Sequence, residues 1–394
     1  MAKTWNFDRI IDRRGTCCFK YDLPMVGERI PLWVADMDFA TPDFILDALK
    51  ARLEHPVLGY SIPPEDYYKT ISSWVKELHG WEVPADDIRF IPGIVRGIGM
   101  VLGCFFHEPV KVIIQPPVYH PFRILPQKNG CEVVYNPLVP IEENGELKGY
   151  RMNLEQLDSL IDDRTKVLIL SNPQNPAGIC WDPDELRALA DICSRRGVLV
   201  ISDEIHAEMA HRGFKHHPFA SVSQAAADCS ITFMAPSKTF NIAGVVSSYT
   251  IVRNPELREK FFNYLEANEF DAPNIFSSVA TMAAYKQGAE WRAQMLEYVE
   301  GNIDFTQEWF KANLPSIKPL RPQASFLVWL DCRGLGLDQA GLLDLFENRA
   351  GLFLNDGSIF GPGGEGDGFM RLNVGCPRSV LQTAFERLKE AIGA

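Results

Sequence analysis

Val167-Leu168-Ile169-Leu170-Ser171-Asn172-Pro173-Gln174-Asn175-Pro176-Ala177-Gly178 and, twenty residues on, Val198-Leu199-Val200-Ile201-Ser202-Asp203-Glu204 decide the fold class. Each opens with a continuous apolar run, the pattern of a strand covered on both faces. Between them Asp182-Pro183-Asp184-Glu185 supplies an N-cap, a proline at the first helical position and a capping-box glutamate. Leu186, Leu189, Ala190 and Cys193 then mark one helix face, and Gly197 supplies a left-handed stop. Strand, helix and strand in that order predict a parallel βαβ unit.

The same alternation extends outward from Ile94 to about Tyr285. Val110 to Ile114 runs into Gln115-Pro116-Pro117-Val118-Tyr119, and Ile231 to Met234 runs into Ala235-Pro236-Ser237-Lys238. Polar residues gather past each strand's carboxyl end, where open α/β sheets place their ligands. Beyond Gly288 the character changes. A long amphipathic helix (about 290 to 313) precedes an alternating strand from Ser325 to Leu330. A glycine-rich loop (361 to 368), a strand from Phe369 to Val374 and a last helix follow. Residues 48–287 therefore read as a large α/β domain, and residues 1–47 with 288–394 as a smaller one.

Composition narrows the function classes. The chain has 394 residues and a net charge of −12, which disfavours nucleic acid as a partner. Its apolar runs are too short for a membrane span, and the N-terminus lacks the apolar core of a signal peptide, so a cytoplasmic location is expected. Nine scattered cysteines without a C-x-x-C pair read as reduced, mostly buried small residues. His206, His211, His216 and His217 fit no common ligand spacing and read as a polar loop, so no metal is expected. Gly97-Ile98-Gly99-Met100-Val101-Leu102 falls within a helix and fails the dinucleotide fingerprint.

If the three strands are neighbours, Asn175, Asp203 and Lys238 bring an amide, an acid and an amine to one mouth. The acid can keep a pyridine nitrogen protonated, the amide can donate to a phenolate oxygen, and the amine can form an imine. Each also has a plainer reading: a turn former, an N-cap and a solvated charge. Lys238, however, precedes 14 uncharged residues, Thr239 to Val252, which favours partial burial and a lowered pKa. Pro92-Gly93 opens a helix-period apolar set beginning Ile94-Val95, whose free N–H groups suit a phosphate, with the Ser237 hydroxyl beside them. Arg371 alternates away from Met370, Leu372 and Val374 and could fork a carboxylate in an interdomain cleft or form a surface salt bridge.

Together, Ser171 to Gly178, Ser202-Asp203-Glu204-Ile205-His206, Ser237-Lys238-Thr239-Phe240-Asn241 and Arg371-Leu372-Asn373 resemble, in order and spacing, the fold-type I pyridoxal phosphate enzymes of aminotransferase class I/II. The likeness covers nearly the whole chain. Trp33 to Phe39, His206 and Arg371 to Arg378 resemble its cystathionine β-lyase branch, the MalY/PatB-type C–S lyases. The resemblance implies the aspartate aminotransferase fold, a homodimer with shared active sites, and pyridoxal 5′-phosphate carried as a Schiff base on Lys238. It implies Asp203 at the pyridine nitrogen, Asn175 and His206 at the cofactor, Tyr119 stacked on the ring, and Gly93, Ile94, Val95 and Ser237 around the phosphate. It assigns Arg371 to the substrate carboxylate, Ala35 to the substrate, and Tyr60 to the neighbouring subunit's site. Val246 stands where many class I aminotransferases carry a phosphate-pairing arginine, a departure shared with the lyase branch.

The activity so implied is α,β-elimination of cystathionine or another cysteine S-conjugate, with Lys238 as the base at Cα. An aminotransferase using the same residues is the alternative, and a regulatory binding protein that retains the fold is a more remote one.

Overall fold

The structure, a computed structural model, describes residues 3–393. Met1 and Ala2, at the head of the stretch read for a signal peptide, and Ala394, at the end of the smaller domain, lie outside them.

Seven strands form the main sheet: β1 (Ile88–Ile91), β2 (Lys111–Ile114), β3 (Glu132–Tyr135), β4 (Thr165–Ser171), β5 (Leu199–Asp203), β6 (Ser230–Met234) and β7 (Ser248–Ile251). Their order is β1-β7-β6-β5-β4-β2-β3, and only β7 runs antiparallel to its neighbours. The carboxyl ends of six strands therefore face one edge. Residues along β4 sort alternately into two cores: Leu168 and Leu170 pack on one side, Val167 and Ile169 on the other. That is why the sequence run is apolar throughout: both faces are covered by helices. Each such side chain contributes about 1.5–3 kcal/mol on burial.

Helix α1 (Ile94–Phe105) packs in the same core as Val167 and Ile169. Helix α2 (Pro183–Arg196) packs with Leu168 and Leu170. Asp182 caps α2 by accepting from the Asp184 N–H at 2.8 Å, Pro183 is its first residue and Gly197 its left-handed stop. The capping-box reading of Glu185 is corrected: its carboxylate accepts from the backbone N–H of Met152, a tertiary partner that local spacing could not reveal.

The rest of the chain packs against this unit. The long helix α3 (Ala289–Asn313) leads to an antiparallel sheet of β8 (Lys318–Leu320), β9 (Leu327–Asp331), β10 (Asn355–Asp356) and β11 (Phe369–Asn373), ordered β8-β9-β11-β10. The last helix is α4 (Arg378–Ile392). Near the N-terminus, Ile30-Pro31 pairs in parallel with Leu352-Phe353. All residues of β11 are buried, so Arg371 lies inside the protein and not on an open face.

Gly178, at φ +72°, joins the two parts. Its carbonyl accepts from Gln323 and Ala324, and a Cβ there would meet Pro322 Cβ at 2.5 Å. Only glycine fits that approach. No helix among the described residues is long and apolar enough to cross a membrane.

Candidate active site

The sheet edge gathers the predicted residues through short connections. β4 and β5 are neighbours with Ser171 opposite Asp203, and β5 and β6 are neighbours with Asp203 opposite Phe233. Asn175 and Lys238 each follow their strand by four residues, so three adjacent strand ends deliver the amide, the acid and the amine. Ala35, Ile94, Val95, Tyr119, Ser171, Asn175, Asp203, Ile205, His206 and Lys238 line one cavity of about 160 Å³. A larger groove of about 610 Å³ lies elsewhere, between the Glu146–Lys148 hairpin and the end of α3. Its lysines 148 and 318 both pair with Glu146, so chemistry and not volume locates the site.

Lys238 is half-buried, and its Nζ donates to the Ala35 carbonyl at 2.6 Å. Burial lowers its pKa, while Asp36 and Asp203 oppose the shift. A lowered amine is a better nucleophile and base than an ordinary lysine. Asp203 is buried and pushed up to about 7 by desolvation, against the Ile205 N–H that it accepts at 3.1 Å and the pull of Lys238. A cation placed against it would restore the carboxylate.

Arg371 is 3 % exposed and has only neutral acceptors. It donates to Asn175 Oδ1 at 2.8 Å, to the Trp33 carbonyl at 3.0 Å and to Asn355 Oδ1 at 2.5 Å. Its guanidinium lies 4.8 Å from the ring centre of Phe360. Burial without an acid lowers its pKa to about 10. The bond from Arg371 also fixes Asn175: with Oδ1 engaged, the amide nitrogen is left to donate into the cavity.

Gly93 precedes α1 at φ +126°, and a Cβ there would meet nothing within 4 Å. The glycine leaves an open concavity at the helix entrance, beside Ile94 and Val95, whose first-turn N–H groups have no partners within the helix. Ser237 is buried next to Lys238. Tyr119 packs edge-on against Phe122 at 5.8 Å, and burial raises its pKa.

The histidines correct the polar-loop reading. His206, His211 and His216 are buried; His206 lines the cavity, and His216 Nε2 lies 2.8 Å from Glu204 Oε2. Burial depresses His206 to about 3, so its ring is neutral, and its Nδ1 has no partner. The cysteines are also less buried than expected. Only Cys104, Cys193, Cys332 and Cys376 are buried, and none of the nine is paired.

Tyr60 stands apart from the cavity in the single chain, at 112 % exposure, with Val57, Leu58 and Ile62 exposed around it. Sequence reasoning missed Asn355, Trp33 and Phe360 as the setting of Arg371, and Ser171 and Ile205 as cavity walls. Ser171 lay in the motif already singled out, whereas Asn355 and Phe360 carry no local signal.

A half-buried amine, a carboxyl raised by burial, an oriented amide and a glycine-opened helix N-terminus fit a flat pyridine aldehyde with a phosphate at one end. The family model for aminotransferases of class I and II matches residues 29–388. Cystathionine β-lyase PatB of Bacillus subtilis is 40 % identical over 98 % of this chain and all of that protein. Among solved structures, cystalysin from Treponema denticola, which contains pyridoxal 5′-phosphate, is 33 % identical with a TM-score of 0.93 over 99 % of both chains. The pyridoxal phosphate-bound C–S lyase from Staphylococcus hominis is 32 % identical with a TM-score of 0.91, over 100 % of this chain and 99 % of that one.

Proposed function

Because the chain belongs to the family of class I and II aminotransferases, we propose that it is a pyridoxal phosphate-dependent C–S β-lyase of the cystathionine β-lyase kind. The observation that carries the reading is the convergence of Lys238, Asp203 and Asn175 on one cavity, with Arg371 bonded to Asn175. The choice of lyase within the family rests on the full-length likeness to PatB and to two C–S lyases.

Bound pyridoxal phosphate supplies an electron sink for the substrate's Cα. Gly93, Ile94 and Val95 at the start of α1, with Ser237, would hold its phosphate. Tyr119 would lie against the ring and Asn175 Nδ2 would donate to the ring oxygen, while Asp203, as carboxylate, would keep the ring nitrogen protonated. His206 stays neutral within the cavity and adds no competing charge.

Arg371 forks the substrate α-carboxylate and so orients the Cα–H bond. Lys238, whose amine rests on a neutral carbonyl, takes the Cα proton at Nζ. The Cβ–S bond then breaks, and sulfur leaves with a proton as the thiol. One water is consumed, and the remaining carbons and nitrogen leave as pyruvate and ammonium.

A cytoplasmic homodimer is the assembly we infer, with Tyr60 and its exposed apolar neighbours reaching the partner's site. Within each chain, the large domain, residues 48–287, would carry the cofactor, and the smaller domain, residues 1–47 with 288–394, would contribute Ala35 and Arg371 to the site.

The test is incubation of the purified protein with cystathionine. Equal rates of pyruvate and thiol release are expected. Pyridoxamine phosphate and a new keto acid as the main products would turn the reading to an aminotransferase. A protein without visible absorbance or turnover would end it.

A further inference from the structure

Four charges stand behind the carbonyl on which Lys238 rests. Arg13 forks Asp36, with Nη1 to Oδ1 at 3.2 Å and Nη2 to Oδ2 at 2.7 Å. Its Nη1 also donates to Asp38 Oδ1 at 2.7 Å and to the Met37 carbonyl at 3.2 Å. Lys20, wholly buried, holds the other oxygen of Asp38 at 2.9 Å and lies 3.9 Å from Asp36. Two acids and two cations thus close on one another, in the segment whose Ala35 carbonyl accepts from Lys238 Nζ at 2.6 Å. Asn241 ties that segment to the lysine's own turn. It accepts from the Met37 N–H at 3.0 Å and donates to the Met37 and Phe39 carbonyls, each at 2.8 Å.

Lys238 is faced by Asp36 from this loop, Arg371 from β11, Asp203 from the end of β5, and His206 and Tyr119 along the cavity wall. Arg13 and Lys20 face Asp36, while Tyr21 and Cys376 stand near Asp38. The two acids are not equally provided for. Asp38 has both cations as close partners, whereas Asp36 depends on Arg13, since 3.9 Å to Lys20 is beyond a hydrogen bond. Without Arg13 the four-charge set would carry one negative charge in excess, beside the amine, and would hold a proton there. A base at Cα has to be free of that proton.

Resting on the proposed function, in which Lys238 carries the cofactor and serves as the base, we propose that Arg13 is a positioning residue. It neutralises Asp36 and fixes the loop of Ala35, so that the nitrogen of Lys238 gives up its proton readily.

The experiment titrates the visible absorbance band of the holoenzyme with pH, the midpoint reporting protonation at Lys238 Nζ. Arg13→Met should raise the midpoint by about half to one pH unit, and Asp36→Asn should lower it by about as much. The double variant should return close to wild type. Arg13→Lys, which keeps the charge without the fork, should stay nearer wild type than Arg13→Met. A segment that served the fold alone would not give opposite signs that cancel. Midpoints that stay fixed, move the same way in both single variants, or fail to cancel in the double variant would overturn the proposal. Should Arg13→Met not fold, an unmoved midpoint in Asp36→Asn overturns it by itself. A wild-type holoenzyme preparation without a visible band would defeat the cofactor reading and this proposal together. A band whose midpoint ignores these substitutions would defeat the proposal alone.

Discussion

The amine of Lys238 donates to the carbonyl oxygen of Ala35 at 2.6 Å, which ties the end of β6 to the N-terminal segment. The resting partner is a carbonyl, so freeing the amine costs about one hydrogen bond, ~1–3 kcal/mol, and not an ion pair. Ala35 is held in turn by its neighbours. Asn373 donates to the carbonyls of Val34 and Asp36, and Arg371 donates to that of Trp33. Lys238 and Arg371 thus share one loop as their hydrogen-bond partner.

Replacing Lys238 with alanine should remove visible absorbance and lower turnover by about a thousand-fold or more, with the fold retained. In the wild type, borohydride should fix the cofactor to the peptide containing Lys238, as read by mass. A variant that kept both colour and rate would show that the amine has no such role.

The pH dependence of the cofactor-free protein should carry the mark of Asp203. Burial raises this carboxyl to about 7, above the ~3.9 of an unfolded chain. Between those values the folded protein keeps a proton that the unfolded chain has lost. Stability due to this residue therefore falls as pH rises from about 4 to about 7, and then levels. Asp203→Asn removes the effect, so the variant's thermal midpoint should gain on wild type from about pH 4 to about pH 8. His206, depressed to about 3, works in the opposite direction, but it is common to both proteins and cancels. With cofactor the sign reverses, because the ring nitrogen needs the carboxylate, and the variant should bind it more weakly. A midpoint difference that ignores pH would refute the assignment.

Arg371→Lys should lower kcat/KM for cysteine conjugates by about 100-fold, because an ammonium cannot fork a carboxylate. The visible band should hardly change. A parallel loss of colour would mean that the arginine serves mainly to orient Asn175, which it bonds at 2.8 Å.

Tyr60 offers a test of shared sites. Lys238→Ala and Tyr60→Ala should each be nearly inactive alone. Mixed and reassembled in equal parts, half of the dimers carry both chains, and one site in each is intact. About a quarter of wild-type activity should return. If none returns although hybrids form, Tyr60 does not act across the interface.

Sequence and structure divide the account along a physical line. The parallel α/β class was written in the apolar runs of β4 and β5 and the helix signals of α2, because strand burial and helix capping act over a few neighbouring residues. Lys238, Asp203 and Asn175 were singled out from motifs at the strand ends and Arg371 from one within a strand, where the chain needs particular side chains at particular places. Local pattern could not say that β4, β5 and β6 lie side by side, since strand order is set by how the connecting helices pack. Nor could it foresee Glu185 turning to Met152, the burial of His206 and His216, or Asn355 and Phe360 enclosing Arg371. Those contacts join residues far apart in the chain, and only the packing of one part of the molecule on the other decides which donor meets which acceptor, and which is left without one.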